Sequence, residues 1–313
     1  MGEFDVQVIT FAKLVLLSMV PFVLAAQGTM LGGRAGVFNV AQEGMMLVGA
    51  SVGFMGAYFY GSVLMGMILA MLSGGLFGLV LSYFTTSLKL DQFVTGLSLF
   101  FIGIGVSTLL PKLAIGITLS PPLIPTLQEV PIPLLSQIPI LGPILFSQNV
   151  LVYASIILSV VLWYFLYKTS FGLALRSVGE SPQTADSLGV NVTFWRYFAP
   201  IVGGMLIGLA GAYLPMVYTG TFTEQMVKGR GWLAIALTFF GGWSPLSIFL
   251  GSLFFSAVEV LAYRVQVGGS AIPYQFLLML PYIATILIMM VSFRRARVPA
   301  FLGQNYDREK RNL

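Results

Sequence analysis

The sequence predicts an all-α integral membrane protein with about nine transmembrane helices, and three observations lead to this fold class. Hydrophobic residues make up 57% of the 313 residues and charged residues only 9%, whereas soluble domains carry about 25% charged residues. Apolar runs of membrane-spanning length recur along the chain. These runs are too long for barrel strands and do not alternate between polar and apolar residues, so we predict helices.

Each predicted span is an apolar run of about 20 residues, the length that crosses the hydrocarbon core as a helix. The seventh run is short, because it meets Gly241, Gly242 and Pro245. An odd number of spans would place the two termini on opposite sides of the membrane. The runs lie at 8–27, 40–60, 62–84, 92–110, 148–167, 197–218, 230–242, 245–265 and 273–293.

The sequence contains few of the residues and motifs that enzymes use for catalysis. Cysteine and histidine are both absent, which excludes disulfides, thiol nucleophiles and the usual zinc ligands. The sequence contains no phosphate-binding loop, nucleophile elbow or zinc-protease motif. We therefore expect neither an enzyme nor a metal site. The first residues lack a basic region and a small-residue cleavage site, so we predict no signal peptide.

The most polar long segment, 168–196, lies between two membrane-length apolar runs. Within it, Ser181 and Pro182 have the character of an N-cap and first helical residue, and Gly189 that of a helix stop. A helix of about six or seven residues is not stable alone in water. The segment is therefore predicted to dock on a separate, soluble protein.

The distribution of Lys and Arg predicts that 168–196 is cytoplasmic, the N-terminus outside and the C-terminus inside. Loops on the same side as 168–196 hold more cations than the others. The cations on the side of 168–196 are Arg34, Lys89, Lys168, Arg176, Arg196, Arg294, Arg295, Arg297, Arg308, Lys310 and Arg311. Those on the other side are Lys112, Lys228, Arg230 and Arg264.

Small residues recur every fourth position in three spans, and such stripes let helix backbones approach closely in lipid. We expect these stripes to pack the helices into a compact bundle, and such packing does not indicate a function. The stripes are Gly49, Gly53, Ala57 and Gly61; Gly66, Ala70, Gly74, Gly78 and Ser82; and Gly204, Gly208 and Ala212.

Two connections have unusual composition. The loop 111–147 holds eight prolines and few charges, which predicts an ordered external cap with short interfacial helices or, alternatively, a simple linker. The segment 221–232 is amphiphilic and interrupted by glycine. It is either a re-entrant piece or a loop at the mouth of a pore.

Polar residues are concentrated in the segment 28–44, between the first two spans. Its glycines argue against a continuous helix, and broken backbone at membrane depth must be buried in protein or line a cavity. Arg34 and Glu43 are predicted to pair across this break, unless the segment is an ordinary cytoplasmic turn. Glu259 is expected to be a buried partner for a hydroxyl, an amide or a cation, and Asp91 with Gln92 to cap the fourth span.

Three ordered blocks of the sequence resemble permeases of the branched-chain amino-acid and ribose type, most closely the subgroup that imports purine nucleosides. The first is GGRAGVFNVAQEGMMLVGA at 32–50, the second FGLALRSVGESPQTADSLGVNV at 171–192, and the third MVKGRGWLAIALTFFGGWSPL at 226–246. The matching residues include Ala35, Gly36, Val37, Asn39, Glu43, Gly44, Met45 and Met46, then Phe171, Gly172, Arg176, Gly179, Pro182, Ala185, Gly189 and Val190.

The resemblance implies a permease subunit of an ATP-binding-cassette importer with the type II fold of the vitamin B12 importers. The resemblance implies that 1–313 is one permease domain, with an external loop 111–147, a cytoplasmic coupling loop 168–196 and a cytoplasmic tail 294–313. It also implies that the chain lacks the first of the ten spans found in ribose-type relatives. The implied partners are a cytoplasmic ATPase that binds the ATP, a second permease and an extracellular binding lipoprotein, in the cell membrane of a prokaryote. No cofactor is expected in this chain.

The resemblance also assigns residues to roles. Contacts with the ATPase would involve Arg176, Gly179, Glu180, Ser181, Pro182, Ala185, Asp186 and Gly189. The structural motif would comprise Arg34, Gly36, Gly44, Gly229, Arg230 and Gly231.

A neutral, hydroxyl-rich cargo is expected, because few charges lie in the spans and a phosphorylated substrate would need a basic lining. The subgroup resemblance implies that this cargo is a nucleoside or, second, a simple sugar. The polar residues expected near its pathway are Asn39, Gln42, Glu43 and Gln92, unless the pore is largely apolar and these residues are structural. Two other classes stay open. One is an ion-coupled secondary transporter using Glu43 and Glu259, and the other is a membrane scaffold or receptor.

Overall fold

The computed structural model describes residues 3–116, 121–267 and 298–308, together with the helical positions 276, 279, 280, 283, 286, 287 and 290. The predicted ninth span at 273–293 lies largely outside the described residues. Eleven α-helices form the described part of the fold. They are α1 (Glu3–Arg34), α2 (Gln42–Tyr60), α3 (Val63–Ser82), α4 (Gln92–Ala114), α5 (Leu141–Leu145), α6 (Val150–Lys168), α7 (Ser170–Glu180), α8 (Pro182–Ser187), α9 (Val192–Tyr213), α10 (Arg230–Phe240) and α11 (Pro245–Val267).

Six of the described helices are long and apolar enough to cross a membrane, which makes this a multi-pass membrane protein. Two of them include a π-helical end, at Tyr83–Ser87 after α3 and at Leu214–Thr219 after α9. The predicted spans 40–60 and 230–242 form α2 and the shorter α10, which are not among the six. The candidate spans are Val6–Arg34, Val63–Ser87, Gln92–Ala114, Val150–Lys168, Val192–Thr219 and Pro245–Val267.

Helix α1 is the centre of the bundle, with α6, α9, α10 and α11 packed around it. Its middle is fully buried at Met19, Val23 and Ala26. Contrary to the sequence prediction, the helix continues through the glycines of 28–34 and ends only at Arg34. The reason is packing, since a Cβ atom on Gly28 would lie 2.4 Å from the Gly203 carbonyl oxygen of α9. In this setting glycine permits backbone contact rather than breaking the helix.

The small-residue stripes give close packing, as the sequence predicts, and the structure shows that they meet one another in one interface between α2, α3 and α9. A Cβ atom on Gly49 would lie 2.1 Å from the Gly208 oxygen, and one on Gly74 would lie 2.1 Å from the Gly204 oxygen. Side chains larger than hydrogen do not fit at such distances, so these helices touch backbone to backbone. Apolar side chains supply little driving force for helix association in lipid, which leaves this close packing to hold the bundle.

Replacing Gly49 by leucine is expected to prevent this packing. Overpacking a core typically costs ~1–3 kcal/mol, and the obstacle here is the backbone of α9, which cannot rotate away. The yield of monodisperse protein in detergent and its Tm should both fall. Gly105→Leu is the control, because a Cβ atom on Gly105 of α4 meets nothing within 4 Å. Equal behaviour of the two variants would contradict the proposed role of the interface.

The bundle has two distinct ends. The α8 end carries α7 and α8, the segment between α1 and α2, the start of α4 and the tail 298–308. The opposite end, the hairpin end, carries the connection from α4 to α6. There β1 (Glu129–Pro131) pairs antiparallel with β2 (Ser147–Asn149), so the fold is not purely α-helical.

The proline-rich loop is ordered over its described residues. A 3-10 turn at Leu135–Gln137 and the one-turn helix α5 lie between the two strands, which agrees with the predicted short helices. Tyr153 of α6 accepts a hydrogen bond from the Gln148 amide and donates one to the Val130 carbonyl oxygen. The strands have no recognisable sequence signal, because each has only three residues.

Candidate functional site

The segment 168–196 folds into two short helices joined at a sharp corner. Helix α7 begins after Thr169, whose hydroxyl accepts a hydrogen bond from the Gly172 amide. Helix α8 begins at Pro182 and its chain reverses at Gly189, where φ is +84°. The predicted helix and its stop are therefore both present. Ser181 precedes α8 as predicted, but its hydroxyl bonds the Thr184 hydroxyl at 2.8 Å instead of a backbone amide.

One face of α8 is open to a partner. Pro182 and Ala185 are buried against the bundle, while the other side of the helix is exposed. Leu188, at the end of the helix, exposes 79% of its surface. The exposed residues are Gln183, Thr184, Ser187, Leu188 and Gly189.

The buried side of α7 lies directly on the end of α1. A Cβ atom on Gly179 would lie 2.2 Å from the Arg34 carbonyl oxygen. The Arg34 guanidinium donates to the Trp243 carbonyl oxygen at 2.9 and 2.7 Å and to the Tyr167 hydroxyl at 3.2 Å. The Arg176 guanidinium stacks on the Tyr167 ring, 4.9 Å from its centroid. Arg176 therefore connects α7 to α6, and Gly179 connects it to α1. Arg34 in turn connects this junction to Trp243, just after α10.

The tail 298–308 closes over this junction. The Phe301 amide donates to the Gly179 carbonyl oxygen at 2.9 Å, and the Ala300 amide to the Glu180 carboxylate at 3.3 Å. Asp186 of α8 accepts a hydrogen bond from the Tyr306 hydroxyl and pairs with Arg308 at 2.9 Å. The tail thus bonds both α7 and α8.

Burial and the hydrogen bond to Asp186 raise the pKa of Tyr306. Its hydroxyl is therefore protonated at neutral pH and remains the donor in this bond. Sequence reasoning treated the tail only as a basic extension and missed these contacts. The one local signal is the stretch FLGQNY at 301–306, whose aromatic, glycine and amide residues are unlike a solvated charged tail.

The four residues predicted to line the substrate pathway are all buried within the chain. Gln92 accepts from the Phe38 amide at 2.6 Å and donates to the Gln304 carbonyl oxygen at 3.1 Å, which ties α4 to the tail. Asn39 accepts from the Ala41 amide at 2.9 Å. The Gln42 amide bonds the Thr29 hydroxyl. Asp91 caps α4 through the Val94 amide, as predicted.

Glu43, the fourth of these residues, holds the start of α10. Its two carboxylate oxygens accept from the Gly229 and Gly231 amides, each at 2.7 Å. A Cβ atom on Gly231 would lie 2.6 Å from the Glu43 Cα. The carboxylate thus satisfies amides at a helix N-terminus that have no partner within the helix, where negative charge is also favoured.

This contact lies deep in the bundle. Gly44 packs against Phe100 and Gly103 of α4, so it lies about eight to eleven residues, or about 12–16 Å, along that helix from its start at Gln92. Helix α10 therefore begins near mid-depth, and the segment 221–232 folds back into the bundle to reach it. Met226 and Val227 of this segment are buried. Of the two alternatives left open by the sequence, this burial favours a re-entrant piece over a loop at the mouth of a pore.

The predicted Arg34–Glu43 pair is wrong. Arg34 bonds the Trp243 oxygen at the α8 end, whereas Glu43 lies at the start of α10, a helix of eleven residues. The length of α10 keeps the two groups apart. Arg230, counted in the sequence as a loop cation, is the first residue of α10 and pairs with Glu259 at 2.9 Å. Glu259 is thus the buried partner of a cation, as expected.

These bonds weigh against the secondary-transporter alternative. A coupling ion needs a carboxylate that is available to it, and both candidate acids already have protein partners. Among the described residues, no group of three or more carboxylates is placed to hold a metal ion. Instead, both acids hold the start of α10, Glu43 through the Gly229 and Gly231 amides and Glu259 through Arg230.

Comparison with known proteins agrees with this architecture. The family model described as "branched-chain amino acid transport system / permease component" matches residues 11–291. The guanosine ABC transporter permease protein NupQ of Bacillus subtilis is 34% identical, over 93% of this chain and 94% of its own. The nucleoside ABC transporter permease protein NupC of Lactococcus lactis is also 34% identical, over 94% and 96%.

A third relative is named for a different substrate. The putative glucose ABC transporter permease protein TsgC13 of Haloferax volcanii is 31% identical, over 91% of this chain and 94% of its own. No solved structure matches the chain significantly. The family model covers most of the sequence and the relatives align over nearly their full lengths. The chain therefore belongs to the family of branched-chain amino acid transport system permease components and is a membrane-embedded permease subunit of an ABC importer, not an enzyme.

Proposed function

We propose that this permease imports a nucleoside and that α8 is the element through which a cytoplasmic ATPase drives it. The observation that carries the proposal is the position of α7 and α8. One face of α8 is free, and the opposite side connects through Gly179 and Arg34 to the central helix. A force applied to the free face therefore reaches the centre of the bundle through direct backbone contact.

The proposed topology has nine spans in a type II importer fold, with the N-terminus outside and the α8 end in the cytoplasm. Helices α2 and α10 bring the six candidate spans to eight, with α10 and its re-entrant approach forming one broken span. The apolar run 273–293 is the proposed ninth span. The excess of Lys and Arg near the α8 end supports this orientation under the positive-inside rule. The single permease domain then carries the loop 111–147 outside and the loop 168–196 and tail 294–313 inside.

Membership of the family implies an ATPase and a substrate-binding protein as partners. We propose that ATP binds only to the ATPase and that a second permease, identical or related, supplies the other half of the pore. ATP binding shifts the permease between outward-open and inward-open states, which requires different affinities of the ATPase for those states. The coupling contacts would be made by the exposed side of α8, with Glu180 and Asp186 fixed beside it by the tail.

The nucleoside assignment comes from the names of two relatives and from the scarcity of charge in the spans. A simple sugar is the second candidate, because one relative is named for glucose. The test compares a strain lacking this gene with the same strain after the gene is restored, and measures which members of a radiolabelled panel of nucleosides, nucleobases and sugars the restored gene imports. Saturable, ATP-dependent uptake of nucleosides alone is expected. Uptake of glucose without nucleosides would overturn the assignment.

Replacing Gly189 by valine is expected to uncouple ATP hydrolysis from uptake. The position has φ of +84°, and a Cβ atom added there would meet nothing within 4 Å, so the damage comes from the backbone. A left-handed conformation costs an L-residue ~1–2 kcal/mol, and a β-branched residue more, so the end of α8 should rearrange. Substrate-stimulated ATPase activity and uptake would be measured in vesicles containing the assembled transporter.

Gly61→Val is the matched control for this variant. Gly61 also has positive φ, at +61°, and open space around it, but lies at the hairpin end. The same backbone cost there should leave coupling intact. Normal uptake and stimulated ATPase activity in Gly189→Val, at normal expression, would show that α8 is not the docking element.

A further inference from the structure

A cavity of about 590 Å³ opens at the α8 end, beside the start of α9. This volume lies within the range of ligand sites, about 300–1,000 Å³. The end of α3, the connection from α8 to α9 and the tail surround it. The lining residues used below are Thr86, Lys89, Thr193, Arg196 and Arg308.

Arg196 is the central observation. Only 1% of the residue is exposed, and its guanidinium donates to the Gln304 carbonyl oxygen at 2.7 Å and stacks on the Phe301 ring. Its Nε has no hydrogen-bond partner, and no carboxylate among the described residues forms an ion pair with it. A buried charge without a counter-charge is costly, so the cavity that Arg196 lines offers a place for a compensating anion.

A helix N-terminus faces the same cavity. Helix α9 has 22 residues, and its first two, Val192 and Thr193, line the cavity. The Asn191 side chain caps the Phe194 amide, which leaves earlier amides of the first turn available. Amides at a helix N-terminus and the helix dipole together bind anions such as phosphate. The Thr86 hydroxyl is a further buried group without a partner.

Two more cations stand at the rim. Lys89 pairs with Asp307 and Arg308 pairs with Asp186, each at 2.9 Å. The Lys89 side chain is about half exposed and that of Arg308 is 80% exposed. Exposed pairs of this kind contribute only about 0–1 kcal/mol, so either cation can turn to an incoming anion. Asp186 and Asp307 also line the cavity, so its lining holds three cations and two carboxylates and has one positive charge in excess.

The surroundings of the cavity favour a lipid as the source of the anion. Phe194 and Phe198 project exposed, stacked rings from the first turns of α9, and Tyr83 is exposed at the end of α3. The Tyr197 hydroxyl bonds the Ser87 hydroxyl at 2.5 Å, which joins these two helices. Aromatic residues at the ends of spans are typical of the membrane interface, and basic pockets between spans bind anionic headgroups.

We propose that this cavity binds the phosphate headgroup of an acidic phospholipid, with its acyl chains along the aromatic face of α9. The headgroup would compensate Arg196 and accept hydrogen bonds from the first turn of α9 and from Lys89 and Arg308. It would thereby join α3, α9 and the tail beside the proposed coupling helix. The placement in the cytoplasmic leaflet rests on the proposed orientation, whereas the binding itself does not.

The test measures lipid binding to the purified full-length chain in the absence of ATPase and nucleoside. After delipidation, the protein is titrated with phosphatidylglycerol, phosphatidylcholine or inorganic phosphate, and bound lipid is counted by native mass spectrometry while Tm is recorded. Phosphatidylglycerol is expected to bind tightest and raise Tm. In the double variant K89Q/R308Q its affinity should fall about thirtyfold, since each of the two cations near a membrane surface contributes about fivefold.

The control is Lys112→Gln, which removes a half-exposed lysine paired with Glu224 at the hairpin end. Equal loss in the control and the double variant would mean general charge attraction and overturn the site. Equal binding of phosphatidylcholine, or a Tm rise with inorganic phosphate as large as with phosphatidylglycerol, would overturn the acidic-lipid assignment. None of these outcomes bears on nucleoside uptake, so the proposal and the proposed function fail separately.

Discussion

Replacing Glu43 by alanine is expected to remove most of the stable protein from the membrane. The wild-type carboxylate accepts hydrogen bonds from the Gly229 and Gly231 amides in the middle of the bundle. Alanine leaves both donors without an acceptor, and each unsatisfied buried donor costs ~1–3 kcal/mol. The lost interaction with the helix N-terminus adds up to ~2 kcal/mol in a partly buried setting. The sum is comparable with the whole stability of many proteins, about 5–15 kcal/mol.

The measurement is the yield and Tm of the purified protein in detergent. Glu43→Gln should be intermediate, because its carbonyl oxygen still accepts from one of the two amides. Glu129→Ala is the control, since that acid is half exposed and pairs with Lys13 at the hairpin end. We expect the control to keep the wild-type yield and Tm. A Glu43→Ala protein as stable as the control would show that α10 does not depend on this carboxylate.

Gly179→Ala is expected to preserve the fold and abolish transport. The added Cβ atom would lie 2.2 Å from the Arg34 carbonyl oxygen, so α7 must move away from the end of α1. An overpacked contact costs ~1–3 kcal/mol, which a helix at the edge of the bundle relieves by shifting outward. The shift breaks the path from α8 to the central helix. Uptake should fall at least about tenfold, the factor that corresponds to ~1.4 kcal/mol.

Uptake and ATPase activity of the assembled transporter separate this effect from unfolding. The variant should assemble with the ATPase and retain basal hydrolysis, while substrate no longer stimulates it. Gly105→Ala makes the same substitution in α4, where the new methyl group meets nothing within 4 Å, and should transport normally. Wild-type uptake in Gly179→Ala would exclude the contact between α7 and α1 as the route of coupling.

Much of the fold follows from local sequence patterns. Hydrophobic runs located the spans that became α1, α3, α4, α6, α9 and α11, because the length of a membrane helix is set by the bilayer. Pro182 and Gly189 located α8 through their fixed backbone preferences. The strands β1 and β2 were not predicted, since three-residue pairs form through contacts between distant parts of the loop.

The sequence by itself determined the class of the protein, the segment that carries α8 and the set of polar residues that matter. Composition, periodicity and helix signals are local properties of the chain, and the lipid or water around each segment determines which of its residues are apolar. Only the tertiary structure decided which of these residues meet. It separated Arg34 from Glu43, gave Glu43 to the start of α10 and Arg230 to Glu259, and brought the tail onto α7 and α8. The partner of a buried charge depends on how helices that are far apart in the chain pack together. Glycine contacts between the backbones of different helices determine that packing, so no single segment of the sequence reveals it.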